Sequence, residues 1–421
     1  MDIAAVTCSC TSLPQGSLHP PSTALAAQAV PVRPMNAAFL DVAVSLIEWL
    51  AGNFCHDQDL AGLLEGLGVR LRNAGIAVDR LVLHLLMIDP EIIGRTMAWT
   101  YGEAVETVSR LHGFEYGVGG LKSPVRHVLE TGAWLSLRGD QATAQDWFLH
   151  EVYARHALAE RLFVPLMSNN AWIGAICFAT SDVAGFSAED RALFHRILPA
   201  LRNCIELKAL HERGTNLLDT YIGSETGRRI LAGHVQRGDV ETIEAALMLC
   251  DLRNFTGISN RLSGARVLSL LNGYFDQILP AITRHGGEVL KFIGDAVLVS
   301  FRGSENPTRN CQAALDAARD ALAHLASFTE PDVELRAGIA LHYGKASYGN
   351  IGSGHRLDFT VIGPDVNLTS RIQGVCAATG QALLVSQRFA DLLPQAQPVS
   401  IGHHELKGFA EEIELFAPKV V

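Results

Sequence analysis

Apolar residues recur at helical intervals from Ala38 to Leu50 and again from Leu60 to Ala74, which predicts two helices near the start of the ordered chain. The run Arg80 to Met87 is short and has strand character. Glycines Gly117, Gly119 and Gly120 punctuate the mixed helical and loop region that follows. Two further strands are predicted at Leu162–Met167 and Ala171–Ala179, joined by the turn-prone Ser168, Asn169 and Asn170. Ser187 then suits a helix N-cap, with Glu189 and Asp190 in the positively polarised first turn. In that helix Leu193, Ile197, Ala200, Cys204 and Leu207 recur at alternating intervals of four and three. This spacing fits either a seam against a second helix or packing on the helix's own domain. Pro199 predicts a kink, and Gly214, Gly223, Gly227, Gly233 and Gly238 predict a broken connector.

The apolar hairpin, followed by Phe186-Ser-Ala-Glu-Asp190 and a long helix, resembles the C-terminal half of a GAF sensor domain. The likeness extends over about residues 40 to 207 and is specific in its last third. It implies a six-stranded antiparallel sheet with a pocket for a small molecule, without saying which. His84, His112, His127, His150 and His156 show no ligand spacing and read as ordinary hydrogen-bonded or surface histidines. Cys177, inside an apolar strand, reads as packing rather than as a chromophore attachment.

The pattern changes at Ala245. Ala245 to Cys250 is an unbroken apolar strand that ends in Asp251, and a carboxylate where the backbone leaves the core suits a hard cation. The Leu252 carbonyl offers another oxygen ligand, and the N–H groups of Phe255 and Thr256 in the strand-to-helix turn could hold phosphate oxygens. A helix is predicted from about Ala265 to Arg284. Two strand-like runs then flank Gly294 and Asp295, a hairpin signal that presents Asp295 at a tight turn. Two neighbouring carboxylates repel unless cations lie between them, so Asp251 with Asp295 predicts divalent metal. Val366 to Ile372 should open another helix, with Asn367 and Arg371 four apart on one face. An amide and a guanidinium projecting together suit a sugar oxygen and a phosphate.

Composition limits the alternatives. A chain of 421 residues with 48% apolar and 19% charged residues has material for two globular domains. The first 35 residues, rich in Ser, Thr, Pro and Ala, read as a disordered tail. Net charge is −10 with no basic run, which disfavours nucleic acid or anionic lipid as partners. The eight cysteines (Cys8, Cys10, Cys55, Cys177, Cys204, Cys250, Cys311 and Cys376) form no metal spacing and read as reduced thiols in a cytoplasmic protein. No apolar stretch reaches the ~20 residues of a membrane span.

Three blocks carry a second, more specific resemblance: LCDLRNFT at 249–256, GGEVLKFIGDAVLVSF at 286–301 and DFTVIGPDVNLTSR at 358–371. In this order and spacing they resemble the signature blocks of class III nucleotide cyclases over about residues 240 to 420. The two resemblances imply an α+β chain: a tail at 1–35, a GAF-like sensor at 36–207, a helical linker at 208–240 and a ferredoxin-like βαββαβ catalytic domain at 241–421. The family implies two Mg²⁺ or Mn²⁺ ions on Asp251 and Asp295, with Leu252 beside them. Lys291 and Thr360 would read the purine, Asn367 would orient the ribose and Arg371 would stabilise the reacting phosphorus. Lys407 matches a late triphosphate-binding Lys, although Phe409 stands where that motif has a second Lys. The implied reaction is attack of the ribose 3′-hydroxyl on the α-phosphorus of ATP, giving cyclic AMP and pyrophosphate. In that family each site is shared between two subunits, so a homodimer would hold two sites. Lys291 only donates and suits adenine N1, while the Thr360 hydroxyl can accept from the 6-amine. Thr at that position is typical of a subgroup that includes bicarbonate-responsive soluble cyclases. A guanylate cyclase and a non-catalytic nucleotide-binding regulator are the alternative readings. The second would be expected to have lost one of the metal, Asn or Arg positions, and all are present.

Overall fold

The computed structural model describes residues 37–52, 58–139, 147, 157–168, 171–330, 333–353 and 356–418. The tail at 1–35, Cys8, Cys10, Cys55, His150, His156, and Asn169 and Asn170 of the expected hairpin turn lie outside the described residues. Between Leu217 and Leu218 the chain divides into two units.

In the first unit, helices α1 (Ala37–Ala51) and α2 (Leu60–Asn73) direct Leu46, Leu50, Leu60, Leu63, Leu67 and Leu71 into a core. Six strands follow: β1 (Arg80–Leu86), β2 (Ile92–Thr100), β3 (Glu106–Leu111), β4 (Leu135–Arg138), β5 (Glu160–Ser168) and β6 (Ala171–Thr180). They form one sheet in the order β3-β2-β1-β6-β5-β4, and every pairing is antiparallel. Alternation along the strands divides their residues between two clusters. Leu81, Leu83 and Leu85 join the helices, whereas Val82, Phe163, Ala175 and Cys177 face helix α3 (Pro124–Thr131) through Val128. Cys177 is fully buried, in line with a packing role.

Helix α4 (Ala188–Ile222) starts where Ser187 and Asp190 cap one another: Asp190 N–H donates to Ser187 Oγ at 3.0 Å, and Ser187 N–H donates to Asp190 at 2.8 Å. Leu193, Ile197 and Cys204 of the expected seam are buried in the first unit's own core, while Leu207 is exposed. The spacing therefore reflects intradomain packing through Cys204. Pro199 and Gly214 leave α4 continuous. A helical glycine costs only ~1 kcal/mol relative to Ala. Arg95 pairs with Glu212 at 3.1 Å and Arg213 donates to Leu86 O at 2.6 Å, fastening this part of the helix to the sheet.

The second unit opens with α5 (Ser224–Leu231), whose buried Thr226 hydroxyl bonds the Tyr348 phenol. It continues as β7 (Val240–Leu252), α6 (Phe255–Ser259), α7 (Gly264–Arg284), β8 (Glu288–Ile293), β9 (Ala296–Phe301), α8 (Pro307–Ser327) and β10 (Ala337–Ser353). Then come β11 (Arg356–Ile362), α9 (Pro364–Thr379), β12 (Leu383–Ser386), α10 (Gln387–Leu392), β13 (Val399–His404) and β14 (Ile413–Ala417). The sheet runs β13-β14-β12-β10-β7-β9-β8, with β11 paired to β10. Its β7-α7-β8-β9-α8-β10 portion is a βαββαβ arrangement with strands ordered β10-β7-β9-β8, as the second resemblance implies. Helices α7 and α8 cover one face through Leu270, Tyr274, Ile278, Ala314 and Ala318, and α9 packs on the other through Leu368, Ile372 and Cys376. Among the described residues no helix is long and apolar enough to cross a membrane.

Glu160 is fully buried in the first unit. It accepts from Ser136 Oγ and from Phe186 N–H at 2.8 Å, and it pairs with Arg138 and Arg191. Burial opposes its charge, but these partners outweigh burial and hold its carboxyl below the usual range. Glu160→Ala would leave buried donors unsatisfied, at a cost of about 3 kcal/mol. A thermal melt should show a lowered transition for the first unit. An unchanged melt would mean that this network contributes nothing.

Candidate functional site

Strand pairing brings Asp251 to Asp295. β7 and β9 are antiparallel with Cys250 opposite Val297, and β8 and β9 close a two-residue turn between Ile293 and Ala296. Gly294 occupies the first turn position with φ 65°, as the II′ class of hairpin requires. Asp295 is therefore presented at the end of the sheet where β7 delivers Asp251. Burial, and then the hydrogen bond and negative charge of Asp295, push the Asp251 carboxyl up to about 7, although the Leu252 N–H and Arg253 act in the opposite direction. Beneath the pair lie Cys250 and Tyr274, whose Sγ and hydroxyl are 3.1 Å apart and fully buried.

These side chains suit a hard divalent cation, because a cation removes the repulsion that otherwise keeps a proton on the pair. Among the described residues no group of three or more His, Cys, Asp or Glu side chains gathers in a metal-binding arrangement. Asp251 and Asp295 would hold such an ion with the Leu252 carbonyl, and the remaining oxygens would come from water and substrate, as is usual for Mg²⁺.

The residues expected to contact phosphate and sugar stand on exposed surface. Asn254 adopts a left-handed conformation, φ 56°, and turns the chain from β7 into α6, whose first residues are the half-buried Phe255 and the exposed Thr256. Phe255 also packs on the core, so its backbone rather than its ring is available. On α9, Asn367 and Arg371 are exposed while Leu368, Thr369 and Ile372 are buried, which puts the amide and guanidinium on one solvent-facing stripe. Lys407 is exposed in the turn between β13 and β14. Phe409, at the position of the missing second Lys, packs against the cluster under α9. Among the described residues no hydrogen bond or ion pair joins Asn367, Arg371 or Lys407 to the acidic pair.

On β8, Lys291 forms an ion pair with Asp358 of β11. Asp358 and Thr360 are two apart, so they share a face of β11, and Thr360 is buried. Asp358 lies inside a quoted sequence block, yet its pairing could not be read there, because Lys291 is 67 residues away. Elsewhere, His84 bonds Thr96 at 3.0 Å, His112 bonds Asp89 O at 2.8 Å and His127 makes an edge contact with Trp147, as ordinary histidines would.

Residues 239–417 match the family model of the adenylate and guanylate cyclase catalytic domain. Adenylate cyclase 1 of Rhizobium meliloti is 29% identical over 172 residues, covering 39% of this chain and 26% of that protein. The adenylate cyclase of Anabaena cylindrica is 29% identical over 162 residues, covering 37% of this chain and 32% of that protein. Among solved structures, a bacterial light-regulated adenylyl cyclase has a TM-score of 0.45 at 25% identity, covering 53% of this chain and 64% of that one. The chain thus spans a third or less of the length of these two curated relatives. The C-terminal stretch is an adenylate/guanylate cyclase catalytic domain.

The acidic pair has a pH signature. Asp251 is raised from 3.8 to about 7 by folding, so in metal-free protein its contribution opposes folding increasingly as pH rises from about 4 to about 7. Thermal melts of the metal-free chain should fall over that window, Asp295→Asn should flatten the fall, and Mn²⁺ should restore the wild-type midpoint at the upper end. Superimposable wild-type and Asp295→Asn profiles would contradict the coupling.

Proposed function

We propose that this protein is an adenylate cyclase that converts ATP to cyclic AMP and pyrophosphate. The observation carrying the proposal is the Asp251 carboxyl, raised by burial and by the neighbouring Asp295, inside a cyclase catalytic domain. Two divalent ions bound there would supply activation of the ribose 3′-hydroxyl and neutralisation of the departing pyrophosphate. The chain's own residues do the rest by position and charge. Asn367 would orient the ribose, Arg371 would lie against the oxygens of the α-phosphate, and Lys407 with the Phe255 and Thr256 N–H groups would hold the triphosphate. Lys291 would donate to adenine N1 and Thr360 would accept from the 6-amine. One specific observation favours a second reading: the Asp358 carboxylate beside Lys291 is an acceptor, and guanine presents donors at N1 and its 2-amine.

The site is completed, on this reading, by a second copy of the chain, with the acidic pair from one copy facing Lys291, Asn367 and Arg371 of the other. Its support is the exposed Phe292, Ile293, Ile351 and Ile362 on the same unit, apolar side chains that a second copy would cover. The six-stranded antiparallel sheet with helices supports the GAF-like reading of the first unit, as a small-molecule sensor that biases the relative placement of two catalytic copies.

Purified protein incubated with Mn²⁺ and either ATP or GTP should give predominantly cyclic AMP. Predominant cyclic GMP would overturn the base assignment, and neither product under dimer-forming conditions would favour the non-catalytic regulator. Asp251→Ala and Asp295→Ala should each lower turnover by roughly a hundredfold or more without changing the dimer. Mixing Asp295→Ala with Arg371→Ala should recover roughly a quarter of the wild-type rate, since half the dimers are mixed and each has one intact site. No recovery, with mixed dimers demonstrated, would refute a shared site.

A further inference from the structure

The N-terminal turn of α9 is tied to the sheet by a buried histidine. His342 of β10 is 3% exposed, so both ring nitrogens need partners within the protein. Its Nδ1 is 2.7 Å from Ser386 Oγ, an oxygen that also accepts the Phe389 N–H at 3.3 Å as the cap of α10. With that N–H already donating to the oxygen, the serine hydroxyl has its own proton to give to Nδ1. Where the hydroxyl donates to Nδ1 in this way, the neutral ring carries its proton on Nε2. Nε2 lies 3.4 Å from Asp365 Oδ1, an ion-pair contact not aligned as a hydrogen bond, and Asp365 Oδ2 accepts the Lys345 N–H at 2.6 Å. A Cβ on Gly344 would run into the Asp365 carboxylate, so the glycine permits this close approach.

Asp365 lies in the first turn of α9, whose N-cap, Gly363, supplies no side-chain cap. It is the side chain that hydrogen-bonds this end of the helix to β10, beside Val366, which packs with Ala346 and Tyr348. Asn367 and Arg371 follow about 3 and 9 Å further along the helix axis. A helix end that slips carries both with it, and a misplacement of ~1 Å can cost ~10²-fold in rate.

We propose that His342 and Asp365 are positioning residues for catalysis, setting the placement of α9 on β10 and so the aim of Asn367 and Arg371 at the nucleotide. The proposal rests on the cyclase reading above. The pair touches neither substrate nor metal in this scheme and acts through the two α9 side chains.

The test measures kcat and nucleotide KM on the full-length protein. His342→Leu and Asp365→Ala should each lower kcat at least tenfold, with KM within about twofold of wild type. The double variant should be no worse than the more impaired single variant, because both break one linkage. His342→Gln, which keeps an N–H at the place of Nε2, should recover most of the loss. If His342→Leu fails to fold, Asp365→Ala and Asp365→Asn, at a half-buried position, carry the same comparison. Wild-type kcat in Asp365→Ala, multiplicative losses in the double variant, or a His342→Gln no better than His342→Leu would overturn the proposal. A wild-type protein that makes neither cyclic nucleotide would instead overturn the cyclase reading and the pair with it; an active wild type with unaffected variants would overturn the pair alone.

Discussion

Two carboxyl groups that repel one another are held together by the pairing of β7 with β9. The register sets Cys250 opposite Val297, and Gly294 closes the hairpin so that Asp295 stands at the strand end beside Asp251. An apolar foundation of Met248, Cys250, Val297, Val299 and Tyr274 keeps water from relieving the repulsion from below. The fold's stability thus comes from the strand interiors, while the strand ends carry an electrostatic cost. Sites that bind cations commonly have this form: the cost is present in the empty protein and disappears when positive charge arrives.

The remaining site residues are distributed by the same sheet. β10 lies next to β7 and serves as the platform for α9, whose buried side is apolar and whose exposed side carries Asn367 and Arg371. β8 and β11 bring Lys291 to the face shared by Asp358 and Thr360. Lys291, Thr360, Asn367 and Arg371 therefore sit on strands and a helix, as chemistry by positioning would require, whereas Lys407 stands in the turn between β13 and β14.

Much of this was legible in the sequence. The apolar run ending at Asp251, the Gly294–Asp295 turn and the four-residue spacing of Asn367 and Arg371 are local patterns, and each appears in the structure at its expected element. What was not legible depends on long-range partners. The Lys291–Asp358 pair and the His342–Asp365–Ser386 chain link residues far apart in sequence, and nothing at either end announces the other. The spacing of Leu193, Ile197 and Cys204 is equally good for an intermolecular seam and for a domain core, and only tertiary packing decides in favour of the core. Gly214 was expected to interrupt a helix that Arg95–Glu212 and Arg213–Leu86 instead hold together.

The central claim is that the acidic pair accepts divalent cations together with a nucleotide whose sugar and phosphate are met by α9 of a second copy. The most direct measurement is a crystal structure of the full chain with Mn²⁺ and a non-cyclisable ATP analogue. The account predicts anomalous density between the Asp251 and Asp295 carboxylates, with the α-phosphate beside Arg371 from the other copy. Metal absent from that pair, or an analogue bound away from α9, would contradict it.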